Sequence, residues 1–219
     1  MNQNIKVELK VDVAKLCHLF WEKHLTTGND GGDISLRETE TGYIYICPRA
    51  NERHVVPNWG MVSPQDIVVV DIEGNVLEDT WMLPTVEASM HYKIYKARPE
   101  INAIVHSHAV FSSVFAAVGE NIPPCLIEAA FIGGEVVCAE YGKVGSQLLA
   151  DNIVRALGDK KKAALLRNHG AVAIGKTMRE AFTVSDYMEK IAKVAMYAKA
   201  MGSRPVSLDV EDIKDENLI

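Results

Sequence analysis

The sequence predicts an α/β fold in which helices cover a central sheet, and three observations lead there. Strand-like runs alternate with amphipathic segments along the whole chain. The alternation is irregular and hairpin-like turns join some runs, which favours a mixed or antiparallel sheet over a strict βαβ repeat. The chain has 219 residues with no repeat and no low-complexity linker, so it reads as one domain over 1–219.

Taken in order, the first element is an amphipathic helix over 11–25, with Val13, Leu16, Phe20 and Trp21 near one face. It runs into the turn formers of 26–33, which must be a loop. Strands are expected at 34–36, 43–47 and 66–71, the last ahead of the turn Glu73-Gly74-Asn75. Pro84 opens a second helix through Glu87, Met90, Ile94 and Tyr95, which ends before Pro99. A strand at 103–106 and a helix at 111–118 follow, with Gly119 in the C-terminal capping position. Further on come a strand at 135–139, a helix over 145–157 and strands at 163–166 and 171–174. The last helix has the clearest start, because Thr177-Met178-Arg179-Glu180 fits the capping box; it runs to about Ala200. The acidic tail, 203–219, is nearly non-periodic and is expected to be loosely held or pinned to a neighbour.

Composition narrows the class of function. Hydrophobic residues make up 48% and charged residues 24%, the balance of a soluble globular protein. A net charge of −6 argues against a main task of binding nucleic acid or anionic membranes. No apolar stretch approaches the ~20 residues of a membrane span, and the first ten residues lack the apolar core of a signal peptide. A cytoplasmic chain is expected. Cys17, Cys47, Cys125 and Cys138 are scattered, with no CxxC pair, so they read as small apolar residues of a reduced protein rather than a zinc finger or a disulfide framework.

The chemistry-bearing signal lies in three histidines and one carboxylate. His106-Ser107-His108 follows a strand run, and strand residues i and i+2 project from the same face, about 7 Å apart. His169 also ends a strand-like run, and the glycine after it, Gly170, would let the backbone turn sharply. Three neutral imidazoles suit a catalytic Zn²⁺ with an open fourth position. On spacing alone a second reading stands, in which these are polar residues at strand ends. Glu87, near the start of the second helix, is the candidate acid/base and a possible further ligand. Its other reading is a charge favoured by the helix dipole, with His91 at i+4 as a hydrogen-bond partner.

The run Pro84-Thr85-Val86-Glu87, then His91, Arg98-Pro99 and Ala103-Ile104-Val105-His106-Ser107-His108, resembles the signature of the class II aldolase/adducin family. Leu165-Leu166-Arg167-Asn168-His169-Gly170 is similar to its third-histidine motif, and Gly32-Asp33-Ile34-Ser35-Leu36-Arg37 to its "GN(I/V)S.R" loop. The resemblance implies a three-layer α/β/α sandwich around a largely antiparallel sheet, assembled as a homotetramer. It implies that His106, His108 and His169 hold a divalent metal, usually zinc, with Glu87 as acid/base and possible ligand. It places Gly28, Asn29, Gly32, Asp33 and Thr85 at the phosphate or carboxylate end of a carbohydrate substrate.

Members of that family divide by reaction. Fuculose-phosphate-type aldolases carry Glu at the position of Glu87, where the epimerases carry Asp, so the resemblance points to reversible aldol cleavage through a zinc-stabilised enediolate. The family's "TPSG" is replaced by Cys47-Pro48-Arg49-Ala50, and Arg49 is the candidate to compensate by binding phosphate or carboxylate. A decarboxylase of 3-keto sugar acids on the same fold would also suit Arg49. A non-catalytic module like the adducin head is the third reading, and the retained Glu87 and three histidines argue against it.

Overall fold

The structure, a computed structural model, describes residues 4–26, 31–49 and 59–209. Helix α1 (Val7–Glu22) leads to strands β1 (Asp33–Arg37), β2 (Ile44–Ile46) and β3 (Pro48–Arg49). Two 3-10 turns precede β4 (Val68–Val70) and β5 (Leu83–Pro84). Then come α2 (Ala88–Ala97), β6 (Ala103–Ser107), α3 (Val110–Val118), α4 (Glu128–Ile132) and β7 (Val137–Ala139). The chain continues through α5 (Gln147–Leu157), β8 (Ala163–Leu166), β9 (Gly170–Gly175) and α6 (Met178–Ala200).

Seven strands form one sheet in the order β4-β2-β1-β6-β9-β8-β7, while β3 and β5 make a separate two-stranded ribbon. Every pair in the large sheet is antiparallel except β7 with β8, which run parallel across the α5 crossover. The sheet is therefore mixed and mostly antiparallel.

Both faces are covered, which is why the central strands read as continuous apolar runs. Strand alternation sends Ala103, Val105, Leu165, Ala171 and Ala173 into a core shared with α1, α3, α4 and α6. Ile104, Ala164, Leu166, Val172 and Ile174 enter a second core under α2 and α5. Of the apolar positions Ala181, Val184, Ile191, Val194 and Ala195 of α6, all but Val194 are buried in the first core, so most of that stripe packs on the protein's own sheet, while Val194 is 40% exposed.

Several boundaries depart from expectation. Pro84 does not open α2. It pairs with Pro48 in the ribbon, a position without a central ladder to break, and α2 begins at Ala88. The short α4 was not anticipated. Thr177 caps α6 by accepting from the Glu180 N–H at 3.1 Å, but the Glu180 carboxylate accepts from the Lys176 N–H, one residue before the cap. The tail is pinned where it is described, the Leu208 N–H donating to the Pro124 carbonyl at 2.9 Å; residues 210–219 lie outside the described residues. Among the described residues no helix is long and apolar enough to cross a membrane.

Candidate active site

His106 and His108 sit at the C-terminal end of β6, and His169 in the tight β8–β9 turn beside it. That turn is made by Asn168, whose φ of +57° is the left-handed conformation Asn tolerates, and not by Gly170 as the sequence suggested. Gly170 is required for a different reason. A Cβ there would stand 2.4 Å from the Ser107 carbonyl oxygen and 3.0 Å from His108 Cδ2. Gly32, at φ +83°, makes the matching approach from β1, where a Cβ would stand 2.4 Å from the His106 carbonyl oxygen. Behind the histidines, the start of α3 is fixed from α6. The Glu189 carboxylate accepts from the Phe111 and Ser112 N–H groups at 2.8 Å and from the Ser112 hydroxyl at 2.7 Å.

The three imidazoles form a nearly equilateral triangle, with ring centroids 4.8–4.9 Å apart and planes inclined by 70–77°. Glu87, immediately before α2, closes the cluster. Its Oε2 lies 2.9 Å from His106 Nε2 and 3.4 Å from His169 Nε2, and His108 Nε2 is 3.2 Å from His106 Nε2. Ligand atoms from all four residues fall within 4.8 Å of one another, so together they could hold a metal ion. Glu87 Oε1 and His169 Nδ1 are buried without a hydrogen-bond partner.

The electrostatics favour a cation here. His106 Nδ1 faces the Ala171 carbonyl at 3.0 Å, so it carries a proton and donates it. Its Nε2 then points at the Glu87 carboxylate. Burial opposes a charge on the His106 ring, but the Glu87 carboxylate, with Asp33 behind it, pushes the imidazole up to about 9. Burial and the neighbouring His106 and His169 rings bring His108 down to about 4. Burial would raise the Glu87 carboxyl too, yet His106 and His169 hold it well below the usual carboxylate range.

Other residues singled out in the sequence divide sharply. Asp33 is corrected from a substrate contact to an internal one. It is 2% exposed, and its two oxygens face His91 Nε2 at 2.7 Å and the Thr85 hydroxyl at 2.5 Å. The Thr85 hydroxyl is likewise spent, donating to Asp33 and accepting from the Glu87 N–H at 3.3 Å. His91 pairs with Asp33 and Ser35 rather than with Glu87. Arg49 is exposed on the ribbon, opposite Leu83, which stands just before Thr85 and Glu87 in the chain. Gly32 is buried against His106; Gly28 and Asn29 lie outside the described residues. Sequence reasoning missed the Asp33–His91–Ser35–Tyr95 network. Its signal was present in the i, i+2 spacing of Asp33 and Ser35 on a strand and the i, i+4 spacing of His91 and Tyr95 on a helix.

A sheet covered on both faces that gathers three imidazoles and a carboxylate at one end is the frame of a metal-dependent enzyme, and known proteins share it. A family model described as Class II Aldolase and Adducin N-terminal domain matches residues 11–196. The L-fuculose phosphate aldolase of Methanococcus maripaludis is 30% identical over 184 residues, 84% of this chain and 94% of that protein. The 5-deoxy-D-ribulose 1-phosphate aldolase of Bacillus thuringiensis is 34% identical over 178 residues, 81% of this chain and 79% of that one. A solved L-fuculose 1-phosphate aldolase superposes with a TM-score of 0.86 at 33% identity, covering 96% of this chain and 94% of its own. The chain belongs to the class II aldolase and adducin family, whose enzymes are metal-dependent.

The approach of β9 to β6 gives a test that does not depend on activity. Gly170→Ala drives a methyl group into the Ser107 carbonyl, a backbone atom that cannot swing away. Thermal unfolding should show a loss of about 1–3 kcal/mol, the scale of overpacking. An unchanged melting curve would show that the two strands have room to spare.

Proposed function

We propose that this aldolase reversibly cleaves a phosphorylated ketose, with His106, His108 and His169 holding Zn²⁺ and Glu87 serving as acid/base. The reading is carried by one observation: three imidazoles converge on a buried carboxylate that keeps one oxygen, Oε1, without a partner. The residues fit a divalent ion, because the Nδ1–H of His106 is already committed to the Ala171 carbonyl, which leaves Nε2 to coordinate. Three histidines are a usual donor set for catalytic zinc. The bound ion supplies Lewis-acid polarisation of the ketose carbonyl and its neighbouring hydroxyl, lowering the cost of the negative charge left by C–C cleavage.

Glu87 does the proton work. When the carbon–carbon bond breaks, the Glu87 carboxylate takes the proton of the hydroxyl on the departing carbon, which becomes the aldehyde, and delivers it to the carbon beside the former carbonyl, where the electron pair of the broken bond stays. In the synthetic direction the carboxylate takes that proton back, through the oxygen that no other group occupies. The substrate class follows from the relatives, which act on L-fuculose phosphate and 5-deoxy-D-ribulose 1-phosphate. Arg49, exposed on the ribbon that leads to Thr85 and Glu87, is assigned to the phosphate together with Gly28 and Asn29. We place the enzyme in the cytoplasm, a reducing compartment that suits its four free cysteines.

We also propose a homotetramer, as the family resemblance implies. The support on this chain is apolar surface outside the mostly filled α6 stripe. Val110, Val114 and Val118 recur at four-residue spacing on α3 and are 53%, 41% and 63% exposed.

Three outcomes test these readings. Light scattering should give four times the 24.1 kDa chain mass at micromolar concentration, and a monomer would exclude the tetramer. Glu87→Gln should keep its metal and lose about 10²–10⁴-fold in kcat on L-fuculose 1-phosphate or 5-deoxy-D-ribulose 1-phosphate. Hydrogen exchange at the substrate's enolisable carbon in D₂O, without aldehyde, isolates that step; a wild-type exchange rate in the Gln variant removes Glu87 from the mechanism. Metal binding should also be pH-linked. Since His106 keeps its proton up to about 9 in the metal-free protein, binding at neutral pH must expel it, with about one proton released per metal in calorimetry across buffers. By the same sign, the His106–Glu87 pair stabilises the metal-free protein fully below pH ~6.5, and that contribution is lost as pH rises through about 9.

A further inference from the structure

The Glu87 side chain is fixed against the histidines, yet little of its own backbone holds it. It precedes the first turn of α2, its N–H reaches only the Thr85 hydroxyl, and its Oε1 has no partner. Besides the Thr85 N–H, which donates to the Cys47 carbonyl at 2.9 Å, and the Met90 N–H, which donates to the Glu87 carbonyl at 2.9 Å, what grips this stretch of chain is the buried carboxylate of Asp33. Asp33 pairs with His106 across the β1–β6 ladder, so both side chains lie on the sheet face covered by α2.

From there Asp33 grips the chain on both sides of Glu87. One oxygen accepts from the Thr85 hydroxyl at 2.5 Å, two residues before Glu87. The other accepts from His91 Nε2–H at 2.7 Å, one helical turn after it. An ionised carboxylate only accepts, so His91 Nε2 donates to Asp33; His91 Nδ1 faces the Ser35 hydroxyl at 2.7 Å, and Ser35 meets the Tyr95 hydroxyl at 2.8 Å. Each member of this chain has a partner, and Asp33, Ser35, His91 and Tyr95 are all at most 2% exposed.

We propose that Asp33, acting through Thr85 and His91, is the positioning residue that sets Glu87 against the metal-binding histidines. The inference rests on Glu87 being the acid/base of the reaction. A polar clamp is an expensive way to attach a helix, since α2 elsewhere packs on the sheet through Met90 and Ile94. What hydrogen bonds add over apolar packing is direction. A displacement of about 1 Å at a reacting group can cost about 10²-fold in rate, so direction at this point is worth its desolvation.

Thr85→Val removes the hydroxyl and keeps the shape, whereas Thr85→Ser keeps the hydroxyl; Asp33→Asn and His91→Phe break the same network elsewhere. Expected on L-fuculose 1-phosphate or 5-deoxy-D-ribulose 1-phosphate is a fall in kcat of about 10–100-fold for Thr85→Val and Asp33→Asn, with KM within about threefold. Thr85→Ser should recover most of the rate, and metal content by emission spectroscopy should stay at the wild-type level. In the Glu87→Gln background, Thr85→Val should cost nothing further, because a residue that acts only through Glu87 has nothing left to position. The proposal is overturned by wild-type kcat in Thr85→Val and Asp33→Asn, by losses that add fully to that of Glu87→Gln, or by a rise in KM at constant kcat. Metal loss in step with rate loss would also overturn it, since the pair would then be supporting the histidines. Full turnover in Glu87→Gln alone is a separate result and would remove the acid/base reading itself.

Discussion

Two carboxylates are kept ionised where there is almost no water, and much of this end of the molecule is arranged around that demand. Glu87 and Asp33 are 6% and 2% exposed and lie on the same face of the sheet, beside His106. A buried charge without compensation is costly enough that the group would take up a proton instead. Asp33 is compensated completely, by one imidazole and one hydroxyl. Glu87 is compensated by imidazoles alone and keeps an oxygen without a bond. The saturated acid can only hold; the unsaturated one can react. Two chemically identical groups are thus given different work by their hydrogen-bond count.

That division depends on how closely the strands approach. His106 must present its ring toward Glu87 while β1 and β9 flank its backbone, and both neighbours make room by lacking a Cβ, at Gly32 and Gly170. The register then does the rest. His106 stands opposite Asp33 on one side and Val172 on the other. The Glu189 carboxylate supplies acceptors to the first turn of α3, whose N–H groups have no intrahelical partner, and so fixes the chain that leaves His108. A slip of one residue in β1 would turn Asp33 to the opposite face and leave His91 without its acceptor.

The candidate metal-ligand set was legible in the sequence because it follows from local rules. His106 and His108 share a face by strand alternation, and His169 ends a second apolar run. Most helices and strands were legible for the same reason, their apolar periodicity matching the two buried faces of the sheet. What was not legible required knowing which strands are neighbours. Asp33 read as a contact for the substrate's phosphate or carboxylate end; its partners, His91 and Thr85, are more than 50 residues away in the chain. Pro84 read as a helix start because proline is at home there, yet tertiary pairing with Pro48 took it into a ribbon. Asn168, not the adjacent Gly170, takes the left-handed turn, because glycine was needed for clearance rather than conformation.

The two faces of the sheet carry unequal burdens. Residues 103 and 105 of β6 point into the larger core with α1, α3, α4 and α6, while Ile104 points under α2 and α5. The alternation that buries Ile104 therefore also delivers His106 to the α2 side, so the reactive face was chosen by the parity of a strand whose first three residues are purely structural. His108 lies beyond the end of the strand, where apolar packing gives way to the open end of the sheet and His169 returns in a turn. Only at that boundary can three imidazoles meet without displacing core side chains. Glu87 reaches them because α2 starts at the same end of the sheet, and a helix beginning there leaves its first residues free of intrahelical hydrogen bonds. The strand ends supply the imidazoles, and the uncommitted start of the helix supplies the carboxylate.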